Sequence, residues 1–560
     1  MIRKHRAKGG MAVPTPKVAK TPNILLLMVD QMRADAMGCA GNAEIRTPGL
    51  DRMAAEGMRF ARAYSNAPVC IPARHSVMTG QPCSVHRRPT LTIPDPDPML
   101  PTLAHLLGLA GYRTHAIGKM HWRPVRRHFG FHRMELMEEI PDWRDEDEYL
   151  LYLKEKGYGH IREVHGIRNI LYHLPQVSLI PEEHHGSTWV ADRTIAFLEQ
   201  NARDGNRPFF CFASWIAPHP PWNPPEPYAS MYDPESLSLP KTWDRDPATL
   251  PPSVRRQTRY ADVRDASPAM LRRIKALYYG SISLIDRGIQ RILDTLDRLG
   301  LSENTLVIFT SDHGEMLGDQ HAFQKGIPYE PAARIPFIMR MPGRIQAGAV
   351  AEQFVTLLDI FPTVLDLAQI PYPEPHASTH PLPGRSLLGR EGGGLAEERD
   401  HIVLELGEGV SRWLSVRRGD WRYAYYMAGG WRELYNLASD PDERHNLLAG
   451  GDARHRAVAD QLHALAVQWE RRYGFPSSFD EQGELRAFPF EDNDQTLYNR
   501  QFPRWVARLR PEERQAMMPA EEALRQAMRC ETTYSLETLA ASGSLAIWRA
   551  GLERFERGEL

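Results

Sequence analysis

In the stretch NILLLMVDQ (residues 23–31), a short run of apolar residues is followed directly by Asp30 and Gln31. Such a run predicts a parallel strand that is buried on both faces of a sheet. Three similar runs follow later in the chain, at residues 112–117, 209–215 and 305–310. Helical patterns lie between the runs, the longest between residues 271 and 299. Strand and helix alternate, which predicts an α/β fold with a mainly parallel sheet flanked by helices.

Polar side chains of catalytic type follow each of the four runs. They are Asp30 and Gln31 after the first run, Lys119 and His121 after the second, His219 after the third, and Asp312, His313 and then Lys325 after the fourth. An aspartate after a strand is more often a turn or helix cap than a ligand. In open α/β sheets, however, ligands bind at the carboxyl ends of the strands. The repetition at four strand ends therefore predicts one shared site.

The residues that follow the first and fourth runs predict a metal site. Asp30, Gln31, Asp312 and His313 offer oxygen atoms and one imidazole. These donors suit a hard divalent cation, Ca²⁺ or else Mg²⁺ or Mn²⁺, better than they suit a thiolate-type zinc site. A pair of hydrogen-bonded turns is the alternative interpretation.

The segment VCIPARHSVMTG (residues 69–80) contains Cys70, Pro72 and Arg74 in the pattern C-x-P-x-R at a predicted loop-to-helix junction. Proline suits the first turn of a helix, where free N–H groups favour an anion. A chain of this composition matches the pattern by chance about 0.05 times. The alternative is a buried cysteine followed by an ordinary helix start.

Four further motifs accompany the Cys70 motif. They are GYRTHAIGKMH (residues 111–121), VIFTSDHGE (307–315), QKGIPYE (324–330) and LYNLASDPDERHNL (434–447). Together the five motifs resemble type I sulfatases of the alkaline phosphatase superfamily, over about residues 22–473. The resemblance implies an alkaline-phosphatase-like fold and hydrolysis of sulfate monoesters, aryl sulfates foremost.

The resemblance also implies a role for each site residue. Cys70 would be oxidised to formylglycine by a formylglycine-generating enzyme, and the hydrated aldehyde would be the nucleophile. One divalent metal ion, Ca²⁺ before Mn²⁺ or Mg²⁺, would be held by Asp30, Gln31, Asp312, His313 and residue 70. Arg74 and Lys119 would hold the nucleophile and its developing charge, His121 would be the base for elimination, and His219 and Lys325 would bind the sulfate and assist the departing oxygen.

Two residues depart from the sulfatase pattern and keep other functions open. Gln31 stands where many sulfatases have a second aspartate, and Ile71 where a small residue is common. Phosphonate monoester and phosphodiester hydrolases share the formylglycine chemistry and a similar metal set. Lys119 and His121 favour a sulfatase, because those hydrolases carry uncharged or hydroxyl residues there. Additional activity towards phosphonate and phosphate esters is expected in either case.

A further alternative is a protein that binds anions without catalysis, in which Cys70 stays a thiol. The set of Lys119, His121, His219 and Lys325 argues against it, because capture alone would not require so many proton-transfer groups.

The composition excludes several classes of protein. The chain has 560 residues, 42% of them hydrophobic and 25% charged, and a formal net charge of −2. This balance gives no argument for nucleic-acid binding, and no apolar run approaches the length of about 20 residues that spans a membrane. The five cysteines are scattered and odd in number, which does not indicate a disulfide framework. A cytoplasmic protein is expected.

The chain divides into four predicted segments. Residues 1–20 are basic but lack the apolar stretch of a secretory signal, which predicts a flexible leader. Residues 21–395 form the catalytic α/β domain, which ends in a proline- and glycine-rich stretch. Residues 396–475 form a small α+β subdomain. Residues 476–560 form a helical extension whose aromatic residues need a surface to cover, on the body or on another subunit; we expect a homo-oligomer, a dimer or tetramer.

Overall fold

An eight-stranded sheet lies at the centre of the structure, a computed structural model that describes residues 21–91, 100–205, 207–260, 262–372, 381–389, 398–492, 495–497 and 501–559. The predicted leader and the predicted domain boundary at residue 395 lie outside these residues. The strands of the sheet are β1 Asn23–Val29, β2 Met58–Tyr64, β3 Arg113–Gly118, β4 Arg133–Leu136, β5 Phe209–Ser214, β6 Thr305–Ser311, β7 Phe337–Arg340 and β8 Ala349–Thr356.

The strand order in this sheet is β4-β3-β5-β1-β6-β7-β2-β8. All neighbouring pairs are parallel except those of β7, which runs antiparallel to β6 and to β2. The four predicted runs correspond to β1, β3, β5 and β6, within one residue at each end. The prediction of a mainly parallel sheet is confirmed.

Helices cover both faces of the sheet. Along β1, Ile24, Leu26 and Met28 pack into one core cluster, which also contains residues of α2, α3 and α9, and the alternate residues pack into another with α5 and α7. Successive side chains of a strand point to opposite faces, and every residue of β1 is buried, so the strand is apolar on both faces from Ile24 to Val29. The helices up to residue 367 are α1 Pro48–Ala55, α2 Cys70–Thr79, α3 Leu103–Leu109, α4 Glu148–Glu155, α5 Gly186–Arg203, α6 Pro252–Arg255, α7 Pro268–Arg298, α8 Glu330–Ala333 and α9 Ile360–Leu367.

A second sheet follows, with four antiparallel strands in the order β12-β11-β10-β9. Its strands are β9 His401–Leu406, β10 Trp413–Arg418, β11 Trp421–Tyr426 and β12 Trp431–Asn436. Helix α10 (Ala453–Tyr473) packs on one face through Leu462 and Ala466, and the other face meets the first domain at Tyr329. This small α+β unit confirms the expectation for the fold after the proline-rich stretch.

The C-terminal extension is helical, as expected, and packs on the body of the same chain. Its helices are α11 Arg504–Ala507, α12 Pro511–Gln515, α13 Ala520–Ala527, α14 Leu536–Ala541 and α15 Ser544–Glu556. Phe502, Trp505, Trp548 and Phe555 are buried in the same core cluster as residues of α5 and α7. These aromatic residues are therefore covered within the chain, and the oligomer stays a prediction without that support. No helix among the described residues has the length and apolar character needed to cross a bilayer.

Candidate active site

The predicted site residues meet at the carboxyl ends of four neighbouring strands, β3, β5, β1 and β6. Asp30 follows β1, Lys119 follows β3 and Asp312 follows β6 directly, and His219 lies five residues beyond β5. Backbone hydrogen bonds continue past the strand ends, from Lys119 N to the Ser214 carbonyl at 2.9 Å and from Asp312 N to the Val29 carbonyl at 3.3 Å. The sheet therefore fixes where these side chains begin.

Cys70 is the first residue of α2 and lies within this group. Its Sγ atom is 3.2 Å from His313 Nε2 and 3.7 Å from Asp30 Oδ1. The side chain is buried, and burial together with the charge of Asp30 raises the pKa of the Cys70 thiol to about 12. An unmodified thiol at this position would be protonated near neutral pH, which makes it a weak nucleophile.

Four side chains could hold a metal ion. The donor atoms of Asp30, Cys70, Asp312 and His313 all lie within 4.8 Å of one another, and all four residues are buried. Burial alone would raise the pKa of Asp30, but the positive charges of Lys119 and Arg74 hold that pKa well below its ordinary value. Two buried, adjacent carboxylates beside an imidazole fit a hard divalent cation.

Gln31 joins the metal set to Lys325. Its Oε1 atom accepts a hydrogen bond from Lys325 Nζ at 2.5 Å, and its Nε2 group donates to Glu315. Gln31 has a φ of 71°, a left-handed conformation that is rare for residues with a side chain and that clusters at functional sites. Glu315 was not predicted; it lies three residues after Asp312 and fixes the amide orientation of Gln31.

Arg74 lies one turn into α2 and ties the segments together. Its Nε atom donates to Asp312 Oδ2 at 2.8 Å, and its Nη1 atom donates to the Lys119 carbonyl at 2.7 Å and to Ser214 Oγ at 2.8 Å. Its Nη2 atom is buried, 3.7 Å from Asp30 Oδ2, and has no hydrogen-bond partner among the described residues. A buried donor without a partner is costly, so Arg74 Nη2 can donate a hydrogen bond to an anionic ligand at little further cost.

Glu139 is a site residue that sequence reasoning missed. The Lys119 ammonium donates both to Asp30 and to Glu139, and the other oxygen of Glu139 accepts from Arg168. The Glu139 oxygens also lie 3.5 Å from His219 Nδ1 and 3.8 Å from His121 Nδ1. Burial alone would raise the pKa of Glu139, but Arg168 and the neighbouring cations hold it well below its usual range. Glu139 is therefore ionised at neutral pH.

Two imidazoles complete the site. His219 Nδ1 lies 2.6 Å from the Pro220 carbonyl, so Nδ1 carries the proton and Nε2 accepts from Lys325 Nζ at 2.8 Å. Burial lowers the pKa of both His219 and His121 well below the ordinary value. His121 Nδ1 is buried without a hydrogen-bond partner among the described residues. Both rings are neutral, and His121 can accept a proton.

The arrangement combines a nucleophile position, a candidate metal site, several cations and two neutral imidazoles in one buried cluster. Every predicted site residue takes part: Asp30, Gln31, Cys70, Arg74, Lys119, His121, His219, Asp312, His313 and Lys325. Such a cluster can bind a tetrahedral anion and move protons to and from its oxygens.

Comparisons with known proteins point to one family. A family model described as "Sulfatase" matches residues 22–370, and one described as "N-sulphoglucosamine sulphohydrolase, C-terminal" matches residues 318–471. An arylsulfatase of Clostridium perfringens is 36% identical over 372 residues, which cover 63% of this chain and 76% of that protein. The multifunctional alkaline phosphatase superfamily protein PehA of Trinickia caryophylli is 30% identical over 380 residues, 61% of this chain and 73% of that protein.

A solved structure shows the same fold. The phosphonate monoester hydrolase of Agrobacterium radiobacter superimposes with a TM-score of 0.69 at 26% identity, over 84% of this chain and 100% of that chain. The Sulfatase match spans more than half of the chain and includes every residue of the cluster. The chain therefore belongs to the sulfatase family.

Proposed function

We propose that the protein hydrolyses sulfate monoesters, aryl sulfates foremost, and that residue 70 acts as formylglycine. The observation that carries this proposal is the position of Cys70 at the start of α2, among Arg74, Lys119 and Lys325 and close to His313. Membership of the sulfatase family and the similarity to an arylsulfatase support it.

Three cationic groups of this chain would bind the sulfate. Arg74 Nη2 has no partner among the described residues, and the ammonium groups of Lys119 and Lys325 each have three N–H donors, some directed at neighbouring side chains. Charge-assisted hydrogen bonds from such groups to sulfate oxygens are strong in a buried site. The cations would orient the ester and stabilise the charge that develops on its oxygens.

The residues present fit one divalent cation, for which we propose Ca²⁺ before Mn²⁺ or Mg²⁺. It would be held by Asp30, Asp312, His313 and residue 70, whose donor atoms lie within 4.8 Å of one another, and by Gln31, which follows Asp30 directly. When bound, such an ion supplies positive charge to the ester oxygens and to the nucleophile, and hydrated formylglycine supplies the attacking hydroxyl.

Proton transfer would fall to His121 and to the pair of Lys325 and His219, and the two histidines lie near different oxygens of Glu139. His121 Nδ1 is neutral and without a hydrogen-bond partner among the described residues, so it can take the proton that residue 70 releases. Lys325 Nζ donates to His219 Nε2 and to Gln31. Lys325 and His219 together can deliver a proton to the departing ester oxygen.

The part of the chain after residue 395 supports the site from outside. We propose residues 396–475 as a subdomain that holds the loop of Lys325. Trp413 Nε1 donates to the Gly326 carbonyl at 3.0 Å, and the Tyr329 hydroxyl donates to Glu433 Oε1 at 2.6 Å. Both contacts reach the segment that starts at Lys325.

Mass spectrometry and turnover test the proposal together. Conversion of Cys70 to formylglycine lowers the mass of the peptide containing residue 70 by about 18 Da. We expect this loss in protein co-expressed with a formylglycine-generating enzyme, together with hydrolysis of p-nitrophenyl sulfate, and neither in Cys70→Ala. Full conversion without turnover of any sulfate ester would contradict the proposal and favour the anion-binding alternative.

Phosphonate monoester or phosphodiester hydrolysis is the second candidate. The superposition on a phosphonate monoester hydrolase over that protein's whole length favours it. Values of kcat/KM for p-nitrophenyl sulfate, p-nitrophenyl phenylphosphonate and bis-p-nitrophenyl phosphate decide between the two. A higher value for either phosphorus ester would make the second candidate the main activity.

A further inference from the structure

A buried carboxylate lies beside the proposed sulfate-binding groups and has no role in the reaction described above. Glu139 contacts Lys119 and Arg168 through hydrogen bonds and lies within 4 Å of His121 and His219. Its side chain is 8% exposed. A charge held there acts on whatever the neighbouring cations bind.

We propose that Glu139 is a specificity-determining residue, which makes the site prefer esters that carry one negative charge over phosphate monoesters, which carry two. This inference rests on the proposed function, because it assumes that the ester binds between Lys119, Lys325 and the two histidines. It assigns to Glu139 a task that differs from binding the ester itself.

The surroundings of Glu139 keep its carboxylate in one position. Arg168 donates to Glu139 through Nη2, to the Pro220 carbonyl through Nη1 at 3.3 Å, and to Gln501 Oε1 through Nε at 3.1 Å. The guanidinium also lies over the ring of Tyr172, 5.2 Å from its centroid. Arg168 is thus held on several sides and holds Glu139, so the negative charge cannot move away from an incoming dianion.

The charge balance explains the direction of the preference. Lys119 contacts two carboxylates, Asp30 and Glu139, and Arg168 contacts the other oxygen of Glu139. A sulfate monoester and a phosphonate monoester each carry one negative charge, whereas a phosphate monoester carries nearly two above its second pKa of about 6. Repulsion by Glu139 therefore acts about twice as strongly on the phosphate monoester, and burial makes the difference larger than in water.

The test compares aryl esters that differ in charge on matched variants. We measure kcat/KM for p-nitrophenyl sulfate, p-nitrophenyl phenylphosphonate and p-nitrophenyl phosphate, and the inhibition constants of phenyl sulfate and phenyl phosphate. In Glu139→Gln we expect the preference for the monoanionic esters to fall by about 10- to 100-fold, as for the loss of one nearby unit charge. Glu139→Asp keeps the charge and should stay within about threefold of wild type.

Two further variants separate charge from structure. Glu135→Gln is the matched control, because Glu135 lies in β4 and pairs with His115 and Arg193 instead of site residues, and it should leave the preference unchanged. Arg168→Gln removes a positive charge and should shift the preference in the opposite direction. The double variant Glu139→Gln/Arg168→Gln should return close to wild type.

An unchanged preference in folded Glu139→Gln would overturn the inference, even if all rates fell together. If Glu139→Gln does not fold, a preference in Arg168→Gln that is unchanged or shifted towards the phosphate monoester would overturn it. A wild-type protein that hydrolyses phosphonate but not sulfate esters would refute the proposed function alone, because the phosphonate-to-phosphate ratio still measures the effect of Glu139. If no ester is turned over, thermal-shift titrations with phenyl sulfate and phenyl phosphate give the ratio.

Discussion

Replacement of Arg412 by methionine should destabilise the second sheet. Arg412 precedes β10, and its Nε atom donates to Glu470 Oε1 of α10 at 2.7 Å, while its Nη2 atom donates to Glu405 Oε2 of β9 at 2.7 Å. The side chains of Arg412 and Glu470 are 0% exposed and that of Glu405 is 1% exposed. Arg412→Met would leave two buried carboxylates without their shared cation.

The magnitude follows from the burial of the cluster. Removing one partner of a buried ion pair costs about 3–5 kcal/mol, because the remaining charge stays desolvated. This is a large part of the total of about 5–15 kcal/mol by which proteins are stable. Urea-induced unfolding measures the loss through tryptophan fluorescence, and Trp469, whose Nε1 atom donates to Glu405 Oε2 at 3.1 Å, reports locally.

The loss of unfolding free energy in Arg412→Met should increase as the pH rises. Burial alone would raise the pKa of Glu405, but Arg412 and the hydrogen bond from Trp469 hold it below its ordinary value. In wild type, Glu405 therefore stabilises the fold above the unfolded-state pKa of about 4.3, and this stability is lost as the pH falls through the folded-state pKa. In Arg412→Met, burial without the cation should raise the pKa of Glu405 above its unfolded-state value. The contribution of Glu405 to stability is then present below about pH 4.3 and is lost as the pH rises through the raised pKa. The difference between the proteins should widen from about pH 4 to pH 7.

An exposed ion pair provides the control. Arg454 is 91% exposed and lies 3.2 Å from Asp452, so Arg454→Met should leave the free energy of unfolding nearly unchanged. A loss of less than about 1 kcal/mol in Arg412→Met at pH 7, or a difference in unfolding free energy between the two proteins that narrows as the pH rises, would show that this buried cation does not stabilise the second sheet.

Three further predictions concern the site and the assembly. Lys119→Met removes the cation between Asp30 and Glu139. We expect kcat/KM for p-nitrophenyl sulfate to fall by at least about 100-fold in the folded variant. A decrease of less than about tenfold would contradict a role of Lys119 in binding the developing charge. Dialysis against EDTA should abolish hydrolysis, and Ca²⁺ should restore it better than Mg²⁺ or Mn²⁺. Undiminished turnover in EDTA would argue against a metal ion in the site. Better recovery with Mn²⁺ or Mg²⁺ would identify that ion as the preferred metal. Light scattering of the full chain should give the mass of a dimer or tetramer, and a mass near 63.8 kDa would refute the predicted oligomer.

The strands that carry the site could be predicted because they are buried on both faces. In β1, β5 and β6 every residue is buried, and a mainly apolar run identifies each strand, whereas β3 is mostly buried but contains Arg113, Thr114 and His115 and is marked less clearly. The edge region of the sheet lacks this signal: β2 contains the partly exposed Arg59 and Arg62, and β7 has only four residues. These strands follow from pairing with their neighbours, which no local pattern reveals.

Glu139 was not predicted because the strand that precedes it also lacks a long buried apolar run. It follows β4, a strand of only four residues at the edge of the sheet whose first residue is exposed. The rule that polar residues after strands form the site holds here as well, but only once the strand is known. A pair of carboxylates, Glu138 and Glu139, after the short run MELM was the available signal.

The part of the chain beyond residue 395 contains no predicted site residue, yet it reaches the site by two routes. Glu443, within the motif of residues 434–447, accepts a hydrogen bond at 2.8 Å from the backbone N–H of Glu330. Glu330 lies five residues after Lys325. In the C-terminal extension, Gln501 accepts from Arg168, which holds Glu139. The loop of Lys325 carries a buried ammonium, whose N–H donors keep their positions only if the surrounding residues are rigid. The second sheet supplies rigid neighbours for this loop. The motif of residues 434–447 can therefore accompany the motifs of the candidate site, although it is far from Cys70 in sequence, because it contacts the segment that follows Lys325.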